Sequence, residues 1–173
     1  MEDKIRVMYS EEEIEARIEQ LGRQISEEYA GKSIHMVCVL KGASVFACEL
    51  AKRITVPVYF DFIKVSSYGN DTVSSGNIKI SKDVDDSVEG DDVIIVEDII
   101  DSGRTLACLL ELFKERNTNS VKLAVLLDKP DRRVTPVEVD YTGFVIPDEF
   151  VVGYGLDYAQ KYRNLPYIGI VEQ

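Results

Sequence analysis

Apolar positions along the chain follow two rhythms. Ile14, Ile18, Leu21 and Ile25 recur every three or four residues and mark one face of a helix, and Ser10 with Glu13 three places on forms the reciprocal capping pair that opens one. Gly31 is suited to end it as a left-handed cap. A different rhythm follows. Ile34 to Leu40 is almost continuously apolar, as in a strand buried on both faces, and Lys41-Gly42 breaks it. Val45 to Ile54 reads as a helix and Val56 to Val65 as a second strand. Val93 to Asp98 and Lys122 to Asp128 supply two more strands, with a helix from about Thr105 to Arg116 between them. Strands alternating with helices predict an α/β fold with a mostly parallel central sheet flanked by helices.

Residues 66–91 break the alternation: they are polar, rich in Gly, Ser and Asp, with one short strand pattern at Ile78 to Ile80. A structureless linker is one reading. A lid over residues 66–81 is the favoured one, because long loops between core strands usually bind or cover something. The last third carries short strands and turns and predicts a small cap, about 136–173 with the N-terminal segment, beside a core of about 30–135. All 173 residues then form one domain.

Composition narrows the function classes. The formal charge of −11 argues against a nucleic-acid partner, which needs a basic surface. No apolar run reaches the roughly 20 residues of a membrane span, and the charged N-terminus lacks an apolar signal core. Cys38, Cys48 and Cys108 read as buried reduced thiols, which points to the cytoplasm. A single histidine, His35, leaves little room for a zinc site or a Ser-His-Asp triad, and at a strand start it reads as structural.

The chemistry concentrates in Val93 to Leu106, VIIVEDIIDSGRTL. Ligands of open α/β sheets bind beyond the carboxyl ends of strands, and Glu97 and Asp98 lie at such an end. The loop that follows offers Gly103 for backbone freedom, the hydroxyls of Ser102 and Thr105, and a helix start whose N–H groups suit a phosphate. It is neither a Walker loop nor a dinucleotide fingerprint. The plain alternative, with Asp101 or Ser102 merely capping a helix, leaves the other acids unexplained.

Four apolar residues, two acids, two apolar residues and Asp-Ser-Gly-x-Thr resemble the phosphoribosyl pyrophosphate (PRPP) motif of type I phosphoribosyltransferases. LKG at Leu40 to Gly42, SSYG at Ser66 to Gly69, LLDK ending at Lys129 and GFVIPDEFVVGYGLDYAQKYRNLP at Gly143 to Pro166 narrow the resemblance to the hypoxanthine, or hypoxanthine-guanine, phosphoribosyltransferases. It implies the type I fold with its cap, or hood, and its mobile lid, and the conversion of hypoxanthine or guanine with PRPP to IMP or GMP and pyrophosphate. Magnesium is the implied cofactor, with Glu97 and Asp98 at the ribose hydroxyls and the metal's water shell and Asp157 at a second metal. Asp101 becomes the general acid/base at purine N7. Ser102, Gly103, Arg104 and Thr105 cradle the 5′-phosphate, Arg104 through its backbone in place of the family's frequent lysine. Lys41 and Gly42, entered in this family by a peptide that can be cis, and Arg163 flank pyrophosphate. Lys129 donates to the 6-oxo group, Phe150 stacks on the base, and the Val151 backbone reads its edge. Ser67 and Tyr68 belong to the lid. Taken singly, Lys41 is a loop lysine, Arg163 a surface charge and Phe150 a core aromatic; the motif context changes the reading. The family also implies a homodimer or homotetramer. Rival readings are a xanthine- or guanine-preferring enzyme, a PRPP-sensing regulator that binds nucleic acid, and a phospho-acceptor domain; the last needs neither the LKG loop nor GLDY.

Overall fold

The computed structural model describes residues 3–67 and 78–172. In chain order the elements are β1 (Lys4–Tyr9), α1 (Glu11–Glu28), β2 (Ile34–Val39), α2 (Ser44–Ala51), β3 (Val58–Ser67), β4 (Ile78–Lys82), β5 (Asp92–Ile100), α3 (Arg104–Glu115), β6 (Ser120–Asp128), a 3-10 turn at Pro130–Arg132, β7 (Tyr141–Val145), β8 (Val151–Val152) and β9 (Ile168–Glu172). Six strands form the main sheet in the order β4-β3-β2-β5-β6-β7, all pairs parallel except β3–β4.

Its central strands are apolar throughout because both faces are covered. On one face Ile34, Met36 and Cys38 of β2 and Ile94 and Val96 of β5 join a core with Ile14, Ile18, Leu21 and Ile25 of α1 and Phe46 and Leu50 of α2. On the other, Val37, Val39, Val93, Ile95, Leu123 and Val125 pack with Leu106, Leu109 and Phe113 of α3. Each such side chain, fully buried, is worth roughly 1.5–3 kcal/mol, so α3 is firmly seated and holds the loop before it in place. At the capping pair of α1, the Glu13 N–H donates to Ser10 Oγ at 3.2 Å, and the Ser10 N–H donates to Glu13 at 2.8 Å.

Several expectations are corrected. Helix α1 ends at Glu28 with Tyr29 as its cap, and Gly31 takes its left-handed conformation (φ 78°) in the following turn. Lys4–Tyr9 is a strand that the charge-rich sequence hides; it pairs antiparallel with β9, and β9 with β8, in a separate three-stranded sheet. Tyr141–Val145, which the sequence reading places in the cap, is the parallel edge strand beside β6. Both ends of the anticipated lid are strand, since Ser66 and Ser67 pair with Lys79 and Ile78; the span between, with Tyr68, lies outside the described residues. Among the cysteines only Cys38 is buried, with its thiol pushed up to about 12 by that burial. Cys48 is exposed because α2 turns Phe46, Ala47 and Leu50 inward instead, and Cys108 is half-buried.

His35 is structural, as expected. It is buried at the start of β2, with Nδ1 3.0 Å from Asp91 and Nε2 3.3 Å from Asp61. Asp61 is buried too. Burial raises its pKa, yet the N–H groups of Asp85, Phe62 and Asp86 outweigh that and hold it below the ordinary aspartate range. Among the described residues no helix is long and apolar enough to cross a membrane.

Candidate active site

Strand β5 outruns its neighbour. It pairs with β2 only as far as Cys38–Val96, whereas on its other side pairing with β6 continues to Ile100–Asp128. Glu97 and Asp98 therefore lie inside β5, not at its end, but in the stretch that β2 no longer covers. That gap explains why a sheet interior tolerates two adjacent acids. Their carboxyls fold back on the backbone: the Asp98 N–H donates to Glu97 at 3.0 Å and the Ile99 N–H to Asp98 at 2.7 Å. Burial, and then the neighbouring Asp98 charge, raise the Glu97 pKa well above the usual glutamate range.

The gap is filled by the turn after β2, entered through a cis Leu40–Lys41 peptide. Gly42 sits against Asp98 so closely that a β-carbon there would lie 1.8 Å from Asp98 Oδ2. Its carbonyl in turn meets Gly155, where a β-carbon would lie 2.1 Å from the Gly42 oxygen. Gly155 has φ 102°, its N–H donates to the Arg163 carbonyl at 2.9 Å, and its own carbonyl accepts from the Arg163 guanidinium at 2.6 Å. Arg163 also pairs with Asp157 at 3.0 Å. The Gln160 amide N–H donates to Asp157 at 2.9 Å, and its side-chain oxygen accepts from Lys41 at 3.3 Å. The structure thus brings Lys41, Gly42, Asp98, Asp157 and Arg163 into one neighbourhood.

Residues 101–105 form the anticipated loop. Gly103 (φ 81°) is the N-cap of α3 and has no side chain to cap with, and the Arg104 N–H at the helix start donates to the Ser102 hydroxyl in a long contact of 3.4 Å. The first-turn N–H groups of a helix lack intrahelical acceptors, which makes this end receptive to an anion. A 240 Å³ hollow is lined by Glu97, Asp101, Ser102, Gly103, Thr105 and their apolar neighbours. Arg104 is exposed at the rim, and the Val134 and Thr135 N–H groups brace the Ser102 carbonyl at 2.9 Å each.

Next to it, sharing Ile99 and Asp101, is a cleft of about 360 Å³ bounded chiefly by Asp98, Lys129, Phe150, Val151, Leu156 and Asp157. Lys129 is buried at the end of β6, and its N–H donates to the Ile100 carbonyl at 3.0 Å. Phe150 is half exposed, forms a T-shaped pair with Tyr158 at a ring-centroid distance of 5.5 Å, and lines the cleft. Val151 is anchored by pairing with Ile170. Of the anticipated residues, Ser67 lies at the exposed tip of β3 and Tyr68 outside the described residues. The sequence reading missed Asp148 and Arg132, which also line the cleft, and Gln160, which ties Lys41 to Asp157. Only their nearness in sequence to Lys129, Phe150 and Asp157 could have drawn notice.

The carboxylates suit magnesium. Asp98 and Asp157 face one cleft, and the described residues hold no cluster of three or more His, Cys, Asp or Glu able to bind a metal alone. Magnesium keeps several waters and is commonly held by one or two carboxylates together with substrate phosphates.

The sequence and the fold match known proteins. The family model for the phosphoribosyl transferase domain fits residues 8–159. The bifunctional protein TilS/HprT of Listeria innocua is 58% identical over 96% of this chain, which spans only 26% of that protein. The hypoxanthine-guanine phosphoribosyltransferase of Streptococcus thermophilus is 52% identical over 97% of this chain and 93% of its own length. A crystal structure of a hypoxanthine-guanine phosphoribosyltransferase from Bacillus anthracis superposes with a TM-score of 0.94 at 46% identity, covering 99% of this chain and 100% of that one. With a mostly parallel sheet, a β5 acid pair and the loop before α3 all in place, the chain belongs to the phosphoribosyltransferase family and has its type I fold.

Proposed function

We propose that this protein is a purine-salvage transferase. It moves the 5-phosphoribosyl group from PRPP to hypoxanthine or guanine, giving IMP or GMP and pyrophosphate. The observation that carries this reading is the pair of adjoining cavities, one at the loop before α3 and one between Lys129 and Phe150, which share Asp101. Their sizes suit a ribose phosphate and a purine, and Asp101 stands where the two would join.

The roles follow from position. The 5′-phosphate takes the first-turn amides of α3, the Gly103 and Arg104 backbone, and the Ser102 and Thr105 hydroxyls. Ribose hydroxyls meet Glu97 and Asp98. Lys41, the Gly42 amide and Arg163 balance the charge that builds on pyrophosphate as the C1–O bond breaks through an oxocarbenium-like state. Asp157 and the Glu97–Asp98 pair would hold magnesium together with the substrate phosphates, and the ion would supply further charge balance there. At the base, Phe150 stacks, the Val151 backbone reads the edge, Lys129 donates to the 6-oxo group and Asp101 holds or releases the N7 proton. Adenine would set an amino donor against the Lys129 ammonium and is rejected for that reason. The enzyme works in the cytoplasm, a reading its reduced cysteines support, as a homodimer or homotetramer, the usual states of the family it resembles.

The test is incubation with PRPP, magnesium and each of hypoxanthine, guanine, xanthine and adenine, with the nucleotides identified. IMP and GMP are expected. AMP, or no nucleotide at all, overturns the proposal, and XMP as main product moves it to the xanthine-preferring reading.

A further inference from the structure

Lys129 is only 8% exposed, and a buried ammonium needs its charge balanced. Two carboxylates do so: Asp101 at 3.8 Å and Asp148 at 3.6 Å. Both are ion-pair separations too long for hydrogen bonds, so the ammonium is held between two acids with its donors uncommitted to either. The acids come from different walls of the cleft. Asp101 follows β5, whereas Asp148 lies in the turn that leads to Phe150, pinned by the Ile146 N–H on the Asp128 carbonyl at 2.8 Å. The second oxygen of Asp148 accepts from Arg132 at 3.4 Å, which orients the carboxylate.

We propose that Asp148 is a positioning residue that sets specificity for a 6-oxo purine, by drawing the Lys129 ammonium off Asp101 and aiming it at the base's position 6. The proposal rests on the reading of this cleft as a purine site. Lysine is a point charge on a flexible stem, so it goes where the field is deepest. With Asp101 as its sole partner the ammonium would close onto that carboxylate. One ion pair would then occupy both the donor needed at position 6 and the acceptor needed at N7. Asp148 divides the pull and keeps the two functions apart. Because it shares a turn with Phe150, a base stacked on that ring meets the aimed ammonium in the same movement.

The experiment compares two nucleotides on the intact protein: IMP, and purine riboside 5′-monophosphate, which has hydrogen in place of the 6-oxo group. Wild type should prefer IMP. Asp148→Asn should weaken IMP roughly tenfold, the scale of one hydrogen bond to a charged donor, and shift the other nucleotide by no more than about twofold. In turnover its KM for hypoxanthine should rise while its KM for PRPP stays put, a split that general loosening would not give. Asp148→Glu, which keeps the charge, should restore the preference. If Asp148→Asn retains the wild-type preference, or loses both nucleotides equally, the role of Asp148 is overturned and the purine reading stands. A wild-type protein without preference overturns both.

Discussion

Gly155→Ala tests whether the Lys41 turn and the segment carrying Asp157 and Arg163, proposed above to flank pyrophosphate, must touch. At φ 102° an alanine is strained, a cost of about 1–2 kcal/mol if left-handed helical values are a guide. The larger effect is steric. The new β-carbon would sit 2.1 Å from the Gly42 oxygen, against a floor of 3.0 Å for real contacts, so the turn holding Lys41 and the segment holding Asp157 and Arg163 must part by nearly 1 Å. Neither partner is a flexible side-chain end; both are backbone. A misplacement of about 1 Å can cost on the order of 100-fold in rate, so kcat/KM for PRPP should fall by that factor. The strain alone should lower the unfolding midpoint by about 2–8 °C for a chain of this size. Steady-state kinetics beside a thermal melt separates the two effects. A variant with kcat/KM within about threefold of wild type would refute the claim that close apposition of Gly42 and Gly155 is needed for turnover.

Asp101→Asn keeps shape but loses the proton acceptor, so kcat should drop roughly 10²–10⁴-fold with nucleotide affinity nearly unchanged; near-normal kcat would assign proton transfer elsewhere. Ser102→Ala and Thr105→Ala remove hydroxyl donors at the loop before α3 and should raise the KM for PRPP more than they lower kcat, as initial-rate titrations will read. Excess chelator should abolish turnover and added magnesium restore it; full activity in chelator would end the metal-assisted reading. Asp83 is held below the ordinary aspartate range by its two hydrogen bonds from Arg116, at 2.8 and 2.7 Å, with burial opposing. A folded pKa below the unfolded one stabilises above roughly pH 4 and is lost as pH falls through the folded value. The melting-point difference between wild type and Asp83→Asn should therefore shrink from pH 6 toward pH 3, and a constant difference would contradict it.

Strands β2, β5 and β6 were legible because burial on both faces leaves an uninterrupted apolar run, and α3 was placed within one residue because Leu106, Leu109 and Phe113 keep helical spacing. Strand β1 was not. Its sequence, KIRVMY, is charged and largely exposed, and what makes it a strand is a partner at Ile168–Glu172 that no local pattern reveals. The site divides the same way. The loop from Asp101 to Thr105 is contiguous in the chain, so motif and geometry coincide. Asp148 and Arg132 sit in polar turns without periodicity, and they matter only because folding sets Asp148 between Lys129 and Arg132. The strand-end placement of Glu97 and Asp98 failed for a related reason: β5 runs on to Ile100, and what uncovers the acids is the earlier stop of β2.

The small sheet carries a consequence for the order in which the molecule can be assembled. Among the described residues strand β8, whose Val151 walls the cleft beside Phe150, pairs with β9 alone, and β9 pairs on its other side with β1. As the chain emerges from the ribosome, β1 comes first and must wait unpaired until Ile168–Glu172 has been made. The β5–α3 unit is local, and the Val134 and Thr135 amides that brace its loop are made about thirty residues before β9, whereas contacts between distant segments close late because they carry the full loop entropy. A nascent chain can thus form the loop before α3 before it has the sheet that holds Val151.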